Sequence, residues 1–148
     1  MSVPRAMRRR LAFTLIEMMV VVLIMGVLAI IIIPRAVNAG RKAKEAQLRG
    51  DLKHLRDAIE RFQGKSDALP PRLDDLIAAN GDAISADKDA NGMSVDRAGY
   101  EGPYLELRTL PKDPFTGQAD WNYDPVTGDV HSASPLTALD KKTTYDSW

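Results

Sequence analysis

The sequence predicts an α+β fold in which one long amino-terminal helix packs on a small antiparallel β-sheet. An apolar run covers residues 13–33, and apolar residues at helical spacing continue from there to residue 65. Short segments of strand character, bounded by proline, glycine and aspartate, follow near the carboxyl end. A chain of 148 residues has room for such a helix and one small globular domain, residues 66–148.

The charges are distributed unevenly along the chain, although its formal net charge is zero. Residues 1–12 hold four arginines and no acidic residue, and residues 34–65 hold nine basic residues against four acidic ones. The remaining tail holds seven basic residues against fifteen acidic ones. Such a gradient is typical of a protein that is oriented at a membrane or in an assembly. Nucleic-acid binding would need a basic face interleaved with aromatic residues, so we expect no nucleic-acid partner.

The segment 13–33 has only two polar side chains, Thr14 and Glu17. A helix rises about 1.5 Å per residue, so about 20 apolar residues cross a hydrocarbon core of roughly 30 Å. We therefore predict a single membrane-spanning helix, with the arginines before it on the cytoplasmic side. A cleaved signal peptide fits poorly, because its apolar region covers only ~7–15 residues and a small-residue cleavage site should follow it. An uncleaved signal anchor is the simplest alternative.

Glu17 is an acidic residue that a simple anchor does not need. A carboxylate in hydrocarbon costs about 2.5–3.5 kcal/mol at the centre of a helix and less near its end. No lysine, arginine or histidine occurs between Leu11 and Ile33, so a counter-charge must come from outside the segment. One source is a new α-amino group, created by a cut shortly before Glu17.

The run Ala12-Phe13-Thr14-Leu15-Ile16-Glu17 follows a basic leader and opens an apolar run that ends before Pro34. This arrangement resembles the class III signal of type IV pilins and type II secretion pseudopilins. The resemblance implies that prepilin peptidase removes residues 1–12, cutting between Ala12 and Phe13, and methylates the new amine. It also implies that Glu17 pairs with the amine of an adjacent subunit, and that Pro34 loosens the helix. The family usually has glycine at the position of Ala12, so we expect slower processing.

Beyond Pro34, the helix is predicted to continue over residues 34–65 with two stripes. A stripe of small residues should face neighbouring helices, since small side chains allow close approach. On nearly the opposite side of the helix, a stripe of larger apolar residues should pack on the chain's own domain. The alternative role for these residues is a short coiled coil. The first stripe is Ala36, Ala39, Ala43, Ala46 and Gly50, and the second is Leu48, Leu52, Leu55, Ile59 and Phe62.

The domain 66–148 is predicted to contain a short helix, a polar loop and three strands. The helix is placed at Leu73–Ala79, the loop at residues 82–99, and the strands at Tyr104–Leu107, Trp121–Tyr123 and Asp129–His131, the last two joined by a turn at residues 124–128. The loop resembles the opening of a calcium-binding loop at Asp87, Asp89 and Asn91. The glutamate that such a loop requires is replaced by Ala98, so calcium is not expected there.

The stretch Leu110–Phe115, followed by Trp121-Asn122-Tyr123, resembles the segment before the sheet in the major pseudopilins. These proteins often end in a calcium-holding loop that runs to a terminal tryptophan. In this chain the corresponding loop offers only Asp140 and Asp146, whereas calcium needs six to eight oxygen ligands. These two residues are therefore weak metal candidates, and no cofactor is expected. We expect packing of Trp148, rather than a metal ion, to hold the carboxyl-terminal loop in place.

No nucleophile motif or phosphate-binding glycine loop is present, and His54 and His131 are isolated, so we do not expect an enzyme. We predict a structural subunit of a type II secretion filament, anchored once in the bacterial inner membrane with its domain in the periplasm or, after assembly, outside. Its partners would be other subunits, prepilin peptidase and the inner-membrane assembly platform. The alternatives are a major or minor pilin of a type IV pilus, and a monomeric membrane-anchored binding module that uses the loop 82–99.

Overall fold

The computed structural model describes residues 13–148, except for the side chains of residues 31–36. The predicted leader 1–12, with Ala12, lies outside the described residues. One α-helix, α1, covers Leu15–Ser66, and 3-10 helices cover Leu73–Ile77, Gly81–Ala83 and Tyr145–Ser147. Two short strands follow one another, β1 at Asn122–Tyr123 and β2 at Val130–His131. The chain divides into two compact units, with the boundary between Gly40 and Arg41.

In the first unit, the described apolar side chains of residues 13–30 are exposed, for example Leu23 at 67% and Ile30 at 75%. Within the described part of the chain, no helix combines the length and the hydropathy needed to cross a membrane. The membrane span predicted at 13–33 is therefore not confirmed. The side chain of Pro34 lies outside the description, so the loosening predicted there stays a prediction. α1 continues past residue 34 as a single helical element.

In the second unit, α1 presents one apolar face to the core, as its sequence pattern predicts. Leu48, Leu55 and Phe62 are fully buried, and they are seven residues apart, which is close to two helical turns. Leu52 and Ile59 complete the face at 2% and 4% exposure. The predicted apolar stripe is thus confirmed. Three members of the small-residue stripe, Ala39, Ala43 and Ala46, are exposed, and their contact with neighbouring helices stays a prediction.

The helix ends at Ser66, where the backbone leaves the helical region. Asp67 has φ 55°, a left-handed conformation that short polar residues adopt more readily than most others. Under the apolar face of α1, Phe62 meets the rings of Tyr100 and Tyr104 edge-on, with centroids 6.0 and 5.9 Å away. The core is completed by side chains from the rest of the domain, including Leu69, Leu76, Trp121, Val130 and Tyr145.

Among the described residues, the sheet has two strands rather than the three predicted. β1 and β2 are antiparallel, with Asn122 opposite His131 and Tyr123 opposite Val130. The turn between them closes where Asp124 N–H donates to Asp129 O at 2.9 Å, and Gly128 supplies φ 78°. The predicted hairpin is therefore confirmed.

The strand predicted at Tyr104–Leu107 is wrong. Leu105 is buried, but Glu106 and Leu107 are both exposed, so the expected alternation stops after two residues. Arg108 N–H donates to Leu105 O at 3.0 Å and Arg108 has φ 50°, so the chain turns before it can pair. The helix predicted at Leu73–Ala79 is a shorter 3-10 helix, because Ala78 is already non-helical.

Candidate processing and assembly site

The start of α1 is a capping box formed by Thr14 and Glu17. Glu17 N–H donates to Thr14 Oγ1 at 3.3 Å, and Thr14 N–H donates to Glu17 Oε2 at 3.5 Å, which is a long hydrogen bond. A negative charge in the first helical turn is also favourable for the helix dipole. The Thr-x-x-Glu spacing that signals such a cap is readable in the sequence, although reasoning from membrane burial overlooked it.

Glu17 therefore has a local role in the single chain as well as its predicted role between chains. In the described residues, hydrogen bonds reach only Oε2 of its carboxylate, so Oε1 is open to a second donor. Phe13 lies one residue before the capping threonine and is 69% exposed. An amine at Phe13 would therefore stand next to the capped end of the helix.

The carboxyl-terminal segment is tied to α1 by a network centred on Glu45. Glu45 is only 9% exposed, and its Oε1 accepts hydrogen bonds from Leu139 N–H at 2.6 Å and from Tyr145 Oη at 2.8 Å. Arg41 donates to Tyr145 Oη at 3.3 Å and also to the carbonyl oxygen of Thr137. These charge-assisted bonds fasten residues 137–145 to the helix.

Trp148 completes this attachment, as the sequence predicted. The Arg49 guanidinium lies 4.4 Å from the centre of its ring, and the ring of Tyr145 meets it edge-on at 5.1 Å. Its Nε1–H donates to Thr143 Oγ1 at 2.9 Å, and its main-chain oxygen accepts from Arg56 Nη2 at 2.8 Å. A cation over an aromatic face is favourable, so the Arg49 contact holds the Trp148 ring against α1. The hydrogen bond from Arg56 holds the main chain of Trp148 in the same way.

In the part of the chain that the structure describes, no further ligand joins the weak metal candidates Asp140 and Asp146. Asp140 accepts hydrogen bonds from the N–H groups of Lys142 and Thr143 and from Thr143 Oγ1, and these bonds lower its pKa. Both of its carboxylate oxygens therefore already organise a turn. Across residues 13–148, so far as they are described, no three His, Cys, Asp or Glu side chains come together in a group that could hold a metal ion.

The loop 82–99 uses its acidic residues to hold itself in place. Asp89 is buried, and its carboxylate accepts hydrogen bonds from the N–H groups of Leu69, Asn91 and Met93. Asp87 instead pairs with Arg97 at 2.6 Å. The two carboxylates serve different partners, so the alternating pattern in the sequence reflects loop architecture.

Comparison with known proteins agrees with these features. The family described as "Prokaryotic N-terminal methylation motif" matches residues 7–33. No solved structure matches the chain.

Several curated relatives carry the name "Type II secretion system core protein G". The Pseudomonas aeruginosa protein is 30% identical over 114 residues, which covers 73% of this chain and 80% of that protein. The Klebsiella pneumoniae protein is 33% identical over 109 residues, 74% of this chain and 71% of that protein. The Vibrio cholerae protein is 27% identical over 111 residues, 75% and 69% of the two chains. These names confirm the predicted resemblance to the secretion type, and the chain belongs to the type II secretion system core protein G family, the major pseudopilins.

Proposed function

We propose that the protein is a filament subunit of a type II secretion system, made as a precursor and activated by a cut between Ala12 and Phe13. The observation that carries this proposal is the position of the methylation motif, residues 7–33, relative to the start of α1 at Leu15. The cut leaves the new amino group two residues before the helix. N-methylation of Phe13 then follows from the motif.

Removal of the leader changes the electrostatics of the amino terminus. Four arginines leave with residues 1–12, and one amine appears at Phe13. The open Oε1 of Glu17 is a suitable acceptor for the amine of an adjacent copy, while Oε2 keeps its bond to Thr14 N–H. A buried ion pair of this kind adds more to register than to stability, so its role is to align one subunit on the next.

The exposed apolar surface of the first unit supports a location in a membrane and later in a filament core. Side chains such as Leu15, Leu23 and Ile30 are at least two-thirds exposed in the single chain. Burying a side chain of this size is worth about 1.5–3 kcal/mol, so the segment favours lipid or other copies over water. The inner membrane would hold the precursor and the assembly platform would extract it, with the domain in the periplasm. The protein's role would be structural rather than catalytic.

The test is the intact mass of the protein purified from membranes of a strain that carries its secretion system. We expect a chain that begins at N-methylated Phe13. A mass that includes residues 1–12 in assembled protein would contradict the processing step.

Two variants separate the roles of Glu17. Glu17→Gln keeps a hydrogen-bond acceptor for the cap but removes the charge, so it should be processed normally and fail to assemble. Thr14→Ser keeps both the cap and the charge and is the matched control, which should assemble. Normal filaments from Glu17→Gln would show that charge pairing is not needed.

A further inference from the structure

We propose that neighbouring subunits lie side by side and meet through two different flanks of α1, a basic flank at Arg49 and Lys53 and an acidic groove at Asp51. Lys53 or Arg49 of one copy would donate to Asp51 of the next. This inference rests on the proposed function and names the surface through which the filament grows.

The two cations of the basic flank form no ion pair with an acidic side chain among the described residues. Arg49 and Lys53 are one helical turn apart and exposed. In the described residues, the ion pairs of α1 are Arg56 with Asp129 and Lys65 with Glu101, and neither Arg49 nor Lys53 takes part. Beside them lies an open depression of about 540 Å³ that also touches Glu60 and Trp148. The Arg49 guanidinium lies over the Trp148 ring, so this cation is positioned before any partner arrives.

The acidic groove contains a carboxylate oxygen that lacks a partner. Asp51 Oδ2 is buried, and the described residues offer it no hydrogen-bond donor. Burial is the main reason that the pKa of Asp51 is raised. A side-chain hydrogen bond with Gln47 and the electrostatic influence of His54 lower this pKa, and the nearby charge of Asp113 raises it further. A buried acceptor without a donor is costly, so a positively charged donor from outside would be favourable.

The rim of this groove offers further contacts to a partner. The groove has a volume of about 420 Å³ and lies between α1 and the segment from Tyr104 to Pro111. Glu106 is exposed, and Leu107 is 84% exposed, a large apolar side chain left in water. Arg61 also lines the groove, farther along the helix.

The charged side chains of the two flanks are complementary: where one flank carries a positive charge along α1, the other carries a negative charge at nearly the same height. The basic flank has cations at positions 49 and 53 and an acid at 60, whereas the groove has an acid at 51 and a cation at 61, and Asp57 lies at the border of both. Parallel, side-by-side copies would therefore bring opposite charges together at both ends of the contact. Residues 49 and 51 are about 200° apart around a helix, so the flanks point to different neighbours. Contacts between unlike surfaces repeat from copy to copy, so they suit an open helical array, whereas a two-fold dimer uses the same surface on both copies.

The first experiment locates Lys53 in assembled filaments of the full-length chain. Filaments formed from equal amounts of normal and ¹⁵N-labelled protein are treated with a carbodiimide, which joins lysine to carboxylate without a spacer. We expect a peptide pair that links Lys53 to Asp51 or Glu106 and carries one label, which identifies it as a link between copies. If every Lys53 link stays within one copy, for example to Asp57 one turn away, the proposed interface is wrong.

The second experiment measures assembly by the fraction of protein in sheared, sedimented filaments. Lys53→Glu should lower this fraction about tenfold, since it places like charges together, and Lys53→Arg, the matched control, should keep it. Asp51→Asn should also lower the sedimented fraction. This substitution removes a charge that burial disfavours, so it should not unfold the subunit. Normal assembly of Lys53→Glu or of Asp51→Asn would overturn the interface.

The outcomes also separate this inference from the proposed function. Normal filaments without a Lys53 link between copies would overturn the interface and leave the filament role standing. A chain correctly cut before Phe13 that forms no filaments with its secretion system would overturn both.

Discussion

Replacing Tyr145 by phenylalanine removes one hydroxyl group and leaves the ring in place. The hydroxyl donates to Glu45 Oε1 at 2.8 Å and accepts from Arg41 Nε at 3.3 Å. The ring stacks on Phe115 with centroids 4.0 Å apart and is fully buried. Burial is the main cause of the raised pKa of Tyr145. The neighbouring Arg41 lowers this pKa, and Glu45 raises it further. The hydroxyl therefore keeps its proton at neutral pH and remains a donor.

The expected loss of stability follows from the charge and burial of the acceptor. A hydrogen bond to a charged group contributes about 1.5–3 kcal/mol, and little water can reach a carboxylate that is 9% exposed. Glu45 keeps its bond from Leu139 N–H, so we expect a loss of about 2 kcal/mol in the free energy of unfolding. For a unit of this size, that corresponds to a Tm lower by roughly 8 °C.

Thermal unfolding of the full chain in detergent, followed by near-ultraviolet circular dichroism, measures this loss. The matched control is Tyr123→Phe, which removes a hydroxyl that donates to a neutral acceptor, Pro70 O, at 2.8 Å. A neutral hydrogen bond is worth about 1 kcal/mol, so the control should lower Tm by only about half as much. In a Glu45→Gln background, Tyr145→Phe should cost less. Equal effects of Tyr145→Phe and Tyr123→Phe would refute the reasoning that the charge of Glu45 decides the magnitude.

Three further predictions concern Asp51, Trp148 and Asp140. Because burial raises the pKa of Asp51, the folded state binds its proton more tightly than the unfolded state, and stability is lost as pH rises above the ordinary value of 3.8. Asp51→Asn should thus raise the Tm of the unassembled protein at pH 7 and change it little at pH 3, and the opposite order would contradict this. Trp148→Ala should cost about 1–2.5 kcal/mol in a denaturant titration, since the Arg49 and Tyr145 ring contacts are lost, whereas an unchanged midpoint would show that the terminal ring is dispensable. Calcium or a chelator should shift Tm by less than about 1 °C, because Asp140 already accepts hydrogen bonds from residues 142 and 143, and a rise of several degrees with calcium would reveal a binding site.

Local patterns predicted α1 and the hairpin correctly. The apolar face from Leu48 to Phe62 is a repeat within one helix, and the turn between β1 and β2 depends on a few adjacent residues ending at Gly128. The capping box of Thr14 and Glu17 is equally local, since its partners are three positions apart. One signal of the Glu45 network is also present in the sequence. Glu45 falls on the apolar face, three residues before Leu48, where a charged residue needs a partner.

The sequence by itself determined where the long helix lies, which face it buries and which family signal begins it, because these depend on neighbours within one or two turns. Only the tertiary structure decided what Glu45 binds, since Tyr145 is 100 residues away. It also decided that residues 104–107 turn away from the sheet and that one oxygen of Asp51 is buried with no donor among the described residues. The physical reason is that hydrogen bonding and desolvation depend on which distant segments pack together, and no periodicity within a single segment encodes that choice.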